Sequence, residues 1–156
     1  MTTSQSFISK NLQDTERFAQ SFLEKLEPQA TIATLVALHG DLGSGKTTFT
    51  QAVAKLLGVT ETVTSPTFVI EKIYKLSENK NNKNNFSHLI HIDAYRLESG
   101  SEMLSLGWKE LISNPQNLIF LEWPEKIADI LPENRVKLSF RFVDENTREI
   151  VSEIAE

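Results

Sequence analysis

The chain has 156 residues, no Cys and a formal net charge of −5. That length fits one domain and suffices to bury a core. The missing thiols exclude a disulfide framework, a thiolate zinc site and a Cys nucleophile, and the acidic balance argues against a broad basic face gripping nucleic acid. Apolar residues make up 40% of the chain, which argues against disorder. No apolar run approaches the roughly 20 residues that cross a bilayer, and Met1 to Lys10 is polar, without the apolar stretch of a signal peptide. The expectation is a cytoplasmic protein with no membrane association, residues 1–156 forming a single domain.

Phe18, Phe22 and Leu26 recur at a spacing of four, with Ala19 and Leu23 beside them, and predict a helix over 11–26. Asn11 followed by Asp14 is a capping signal, and Pro28 ends the segment. Thr31 to His39 is almost continuously apolar from Ile32 on, as a strand buried on both faces reads. A Gly-rich turn follows. Phe49, Ala52, Val53, Leu56 and Leu57 then predict a helix over 47–57, closed by Gly58. Val69 to Leu76 and His88 to Asp93 read as strands joined by a polar, solvated hairpin loop over 77–85. Gly100 to Ile112 reads as helix with a break near Gly107, Leu118 to Leu121 as a buried strand, and Ile127 to Leu131 as a short helix closed by Pro132. Val136 to Phe142 alternates at period two, and Arg148 to Ile154 returns antiparallel after the turn at Asp144 to Thr147. Strands alternating with helices point to an α/β domain.

The stretch Gly40-Asp41-Leu42-Gly43-Ser44-Gly45-Lys46-Thr47 satisfies G-x-x-x-x-G-K-[ST] at every fixed position. Its glycines allow backbone angles that Cβ forbids, so successive N–H groups converge on phosphate oxygens. The following helix adds the partial positive charge of its N-terminus. Lys46 reaches the β- and γ-phosphates in such loops, and the hydroxyl of Thr47 is a Mg²⁺ ligand. With Gly at about 7% of residues, a random chain of this length shows the pattern roughly once in two hundred.

A P-loop site needs a carboxylate at the end of a nearby strand to hold Mg²⁺ or its water. Asp93 and Glu122 each end an apolar run, and both are candidates; each is also readable as a surface acid capping a strand. Asp41, Glu110 and Glu125 are weaker ones. His39, His88 and His91 match no metal-ligand spacing, and strand-end packing is their commoner use. Thr67, in Ser65-Pro66-Thr67-Phe68, has the chemistry to sense a γ-phosphate or bind Mg²⁺ as switch loops do; the other reading is a Pro-stiffened turn. Trp123 follows Glu122 at the expected mouth of the site, where it covers nucleotide, meets a partner or simply packs. Trp108 reads as ordinary packing. The guanine-specifying N-K-x-D pattern is missing, which favours ATP.

The phosphate loop, S-P-T-F at 65–68, His91-Ile92-Asp93-Ala94-Tyr95-Arg96 and Leu121-Glu122-Trp123-Pro124-Glu125 occur together in one order and spacing. In this the chain resembles the bacterial TsaE (YjeE) family, the ATPase component of tRNA threonylcarbamoyladenosine biosynthesis, from about Asn11 to Arg148. The resemblance implies a P-loop NTPase-like three-layer α/β domain with a mixed parallel/antiparallel sheet. It implies a slow Mg²⁺-dependent ATPase that works with the threonylcarbamoyl-transferase subunit and its inactive paralogue (TsaD-like and TsaB-like proteins). These install threonylcarbamoyl on adenosine 37 of ANN-decoding tRNAs, so tRNA is met only through the complex. Carried over, Gly43, Ser44, Gly45, Lys46, Thr47 and Thr48 wrap the phosphates of ATP, and Thr47 and Glu122 hold Mg²⁺. Asp93 supports hydrolysis, Thr67 belongs to a switch-like loop, Trp123 lines the site, Arg148 contacts ATP, and Leu12 and Thr15 lie near the adenine. The Asn- and Lys-rich stretch 77–85 is a departure, placed away from the chemistry. Two other readings share the P-loop: a small-molecule kinase with Arg135, Arg141 and Arg148 as lid arginines, and a nucleotide-switched binding module with negligible turnover. A kinase needs an acceptor-binding domain and a mobile lid, for which this chain has little room.

Overall fold

The computed structural model describes residues 2–64 and 70–155. Strand β2 (Thr34–His39) is buried on both faces from Thr34 to Leu38, the environment its apolar run requires. It pairs in parallel with β5 (Asn117–Glu122) on one side and β6 (Val136–Asp144) on the other. β4 (His88–Asp93) extends the parallel centre beside β5. Antiparallel strands close both edges: β3 (Glu71–Lys75) on β4, and β7 (Thr147–Ala155) then β1 (Thr2–Ser9) beyond β6. The order is β1-β7-β6-β2-β5-β4-β3.

Strand alternation sorts the side chains to two cores. Val36, Leu38, Leu118, Phe120, Leu138 and Phe140 face α1 (Leu12–Lys25) and α2 (Lys46–Leu56). Phe49 of α2 anchors this side: its ring lies 5.7 Å from that of Phe120 at an interplanar angle of 4°, and it meets Phe22 of α1 edge-on at 5.5 Å. On the other face Leu35, Ile90, Ile92, Ile119 and Leu121 pack under Met103 of α3 (Gly100–Ser105), Trp108 of α4 (Trp108–Ile112) and Ile127 of a 3₁₀ helix (Pro124–Ile130). The result is a three-layer α/β fold with a mixed sheet.

Local signals of the sequence translate into local structure. Asn11 Oδ1 accepts from Asp14 N at 2.8 Å, and Asp14 Oδ2 accepts in turn from Lys10 N at 2.9 Å. The short Asp side chain thus reaches the residue before the cap, a variation on the reciprocal capping box. Gly107, at φ +92°, separates α3 from α4 as expected. The strand expected from Thr31 starts later, at Thr34, and that expected over 69–76 spans Glu71–Lys75; Val69 lies outside the described residues. The N-terminal strand β1 is not signalled by the sequence. An edge strand needs little apolar surface, and Phe7, packed 5.2 Å from Phe18, supplies it.

The polar stretch 77–85 is not merely solvated, which corrects the sequence reading. Asn81 Nδ2 donates to Leu56 O, Asn84 Nδ2 to Leu26 O, and the Lys83 ammonium to Glu24 O, so the loop satisfies carbonyls at the C-terminal ends of α1 and α2. Asn82 is buried and pairs reciprocally with Phe86, its Oδ1 accepting from Phe86 N and its Nδ2 donating to Phe86 O, both at 2.9 Å. Replacing Asn82 by Ala strands both backbone groups in the interior. Asn82→Ala is expected to cost about 2–3 kcal/mol, read as a lower urea midpoint at an unchanged slope; an unshifted midpoint would show that water replaces the side chain freely.

Candidate nucleotide site

The loop between β2 and α2 has the backbone that its glycines permit. Gly40 adopts φ +143°, and a Cβ there would lie 2.6 Å from Phe140 O and 2.7 Å from Ser44 Oγ. Gly45 precedes α2 at φ +109°, and among the described residues no side chain caps the first turn of the helix. Those uncapped N–H groups carry the positive end of the helix dipole and face an anion well. The Ser44 hydroxyl is buried and has no hydrogen-bond partner among the described residues. An orphaned donor in this position fits a phosphate oxygen.

Lys46 is buried, hydrogen-bonds to Gly40 O, and lies with Nζ 4.2 Å from the centroid of the Trp123 ring. Burial pulls its pKa below the ordinary 10.5, opposed by the charges of Glu122, Asp93, Glu125 and Asp41. Trp123 itself has φ +58°, unusual for a bulky residue, and its ring packs 5.1 Å from Tyr95.

The two strand-end acids stand side by side. Asp93 is the register partner of Glu122 across β4 and β5, and both are buried. Only Glu122 ends a strand that adjoins the P-loop strand, opposite Leu38; Asp93 is one strand further out. Asp93 Oδ1 accepts from Tyr95 N at 2.9 Å. Glu122 Oε2 lies 2.6 Å from Nε2 of His91, which is fully buried. Sequence reading assigned His91 to packing and missed this bond. The available signal was the H-x-D spacing, which puts His91 and Asp93 on one face of β4.

An open cleft of about 760 Å³ joins these elements, within the range of small-molecule sites. Leu12, Thr15, Gly43, Ser44, Gly45, Lys46, Thr47, Thr48, Asp93, Glu122, Trp123 and Arg148 all line it. Thr67 lies outside the described residues. The far wall comes from β1, β6, β7 and their connections, and beyond Leu12, Thr15 and Arg148 it was not anticipated: Ser9, Lys10, Asn11, Phe140, Glu145, Asn146 and Ile150 also line the cleft. Thr15 Oγ1 is 2.7 Å from Ser9 Oγ, which ties α1 to β1 at this wall. Arg148 is held over the loop by its Nε donating to Gly43 O at 3.0 Å and its Nη1 to Asp144 O at 2.6 Å. Arg141 instead pairs with Glu149 at 2.8 Å and Arg135 donates to Pro132 O at 2.7 Å; neither lines the cleft. Glu125 lies 3.5 Å from His39, and neither lines the cleft; nor do Asp41 and Glu110.

Among the described residues no group of three or more His, Asp or Glu side chains is arranged to hold a metal. The donor set that remains, one Thr hydroxyl and one or two carboxylates, suits a hard cation that keeps several waters and shares phosphate oxygens. Among the described residues no helix is long and apolar enough to cross a membrane.

The sequence profile described as "Threonylcarbamoyl adenosine biosynthesis protein TsaE" matches residues 9–150. The chain is 34% identical over 142 residues to the tRNA threonylcarbamoyladenosine biosynthesis protein TsaE of Rickettsia felis, covering 90% of this chain and 75% of that one. It is 33% identical over 145 residues to the TsaE protein of Treponema pallidum, covering 92% and 96% respectively. The crystal structure of YdiB from Bacillus subtilis superimposes with a TM-score of 0.75 at 27% identity, covering all of this chain and 88% of the other. The phosphate loop, the paired strand-end acids and the match along nearly the whole chain agree: the chain belongs to the TsaE family of threonylcarbamoyl adenosine biosynthesis proteins.

Proposed function

We propose that this chain is a cytoplasmic, single-domain Mg²⁺-dependent ATPase whose cycle serves threonylcarbamoyl modification of adenosine 37 in ANN-decoding tRNAs. It acts on the complex of a TsaD-like transferase subunit and its TsaB-like inactive paralogue, and meets tRNA only through them. The observation that carries the reading is the pairing of Glu122 with Asp93 in a cleft whose other side is the phosphate loop and Lys46.

Backbone N–H groups from Gly43 to Thr48 and the ammonium of Lys46 bind the phosphates. The Thr47 hydroxyl and Glu122 carboxylate would hold Mg²⁺, which when bound neutralises phosphate charge and polarises the γ-phosphoryl group. Asp93 orients the attacking water, and Thr67 senses the γ-phosphate. Arg148 neutralises charge at the phosphate mouth, and Leu12 with Thr15 borders the base. Lys46 must exchange its contact with Gly40 O for phosphate oxygens, which takes the cation off the Trp123 ring. In a variant carrying only Trp123 (Trp108→Phe), emission is therefore expected to change on adding Mg-ATP; a silent signal would remove Trp123 from the site. The function as a whole is tested by reconstitution. ATP turnover with and without Mg²⁺, and modification of tRNA with and without this chain, should both depend on the transferase pair. Phosphoryl transfer to a metabolite instead of water would overturn it.

A further inference from the structure

His91 is an expensive residue for its position. It sits inside β4 with no exposed surface, between the register rows that carry Leu89 and Asp93. Its cross-strand neighbours are Phe120 on β5 and Lys72 on β3, and Leu89 and Phe120 both belong to the apolar core on this face. Its Nδ1 is buried and without a hydrogen-bond partner among the described residues. An apolar side chain would fill the same volume without burying an unpaired polar atom. What the imidazole provides in exchange is a single contact, from Nε2 to Glu122 Oε2 at 2.6 Å. A buried group that breaks a packing rule is expected where function requires it.

We propose that His91 is a positioning residue for Glu122, resting on the reading of Glu122 as a Mg²⁺ ligand. The unpartnered Nδ1 assigns the tautomer: the proton sits on Nε2, which donates to the carboxylate, and Nδ1 carries only its lone pair. The bond closes a link 31 residues long between two neighbouring strands. It holds a side chain that has several rotatable bonds and a competing cation nearby in Lys46. With Oε2 engaged by His91, the carboxylate is fixed in place and offers its other oxygen to the cleft that Glu122 lines. His91 thus does for a carboxylate ligand what outer partners do for metal-bound histidines.

Two measurements test this. In nitrogen-15 spectra of histidine-labelled protein without nucleotide, His91 should show a protonated Nε2 and a bare Nδ1; a proton on Nδ1 overturns the assignment. His91→Leu, which fills the space without a donor, should raise the Mg²⁺ concentration for half-maximal tightening of ATP binding by roughly 10–100-fold. ATP affinity in excess chelator should stay unchanged. His91→Gln, whose amide N–H can occupy the Nε2 position, should recover most of the loss. Wild-type Mg²⁺ dependence in the Leu variant, or no recovery in the Gln variant, overturns the role. If His91→Leu does not fold, the tautomer and the Gln variant decide. A wild-type protein that hydrolyses no ATP overturns the ATPase reading, whereas the tautomer and the Mg²⁺ dependence of binding decide the role of His91 separately.

Discussion

Lys46→Met is expected to abolish nucleotide-dependent activity while leaving the unliganded fold as stable as wild type or more so. The loss follows from charge-assisted hydrogen bonds to phosphate, about 1.5–3 kcal/mol each. Losing two such bonds lowers ATP affinity by roughly 10²–10⁴-fold. The stability half follows from burial. Desolvation of the ammonium outweighs the attraction of Glu122, Asp93, Glu125 and Asp41, so the Lys46 pKa falls below 10.5. A group with a lowered basic pKa binds fewer protons folded than unfolded, so the stability of wild type rises with pH as the lysine deprotonates. Below that window the buried charge costs stability, and Met removes the cost. The advantage of the Met variant should be largest at neutral pH and shrink as pH climbs toward 10.5. Isothermal titration with ATP and thermal melts across pH check both halves. Wild-type ATP turnover in this variant would sink the phosphate-loop assignment, and a melt well below wild type would mean that the ammonium holds the unliganded cleft together.

Glu122→Gln is expected to reduce Mg²⁺-dependent hydrolysis by roughly 10²–10³-fold, the scale of removing one electrostatic group from a preorganised site. The substitution is nearly isosteric. An amide oxygen still accepts from His91 Nε2, so the strand end keeps its shape. What disappears is the negative charge that opposes the cation. ATP binding without Mg²⁺ should tighten slightly, because a carboxylate near the phosphates repels them. A Mg²⁺ titration of hydrolysis that overlays wild type would exclude Glu122 as a ligand. Asp93→Asn, one strand further from the P-loop strand, is expected to lower turnover with less effect on the Mg²⁺ requirement.

The parts of this protein legible in its sequence are those set by neighbours along the chain. The phosphate loop declares itself because most of its geometry is made within eight consecutive residues, each with a steric or charge requirement: Gly40 cannot carry a Cβ against Ser44 Oγ, and Gly45 must turn at φ +109° into the helix. The Asn11 cap, the break at Gly107 and the apolar runs that end in Asp93 and Glu122 are local in the same sense. Their hydrophobic patterns report burial directly, which is why α/β and a central strand buried on both faces could be expected. Where the polar pattern was ambiguous, local reading erred. The stretch 77–85 looks solvated residue by residue, yet its asparagines satisfy helix carbonyls far away in the chain.

Only the tertiary structure decided how these pieces meet. Strand order depends on which buried faces come together, and nothing near Asp93 or Glu122 in the chain says that β5, and not β4, adjoins the P-loop strand. The wall supplied by β1 is likewise invisible beforehand, since an edge strand carries a weak apolar signal and pairs through backbone groups that every residue has. The bond from His91 to Glu122 is the clearest case. Each residue is readable alone as packing or as a strand-end acid, and only pairing in register brings a ring nitrogen to 2.6 Å from the carboxylate. The sequence by itself determined that a small, acidic, Cys-free chain carries a nucleotide loop. The tertiary structure decided which acid stands next to that loop and what holds it there, because those distances are set by long-range burial and register and not by the conformation of any one segment.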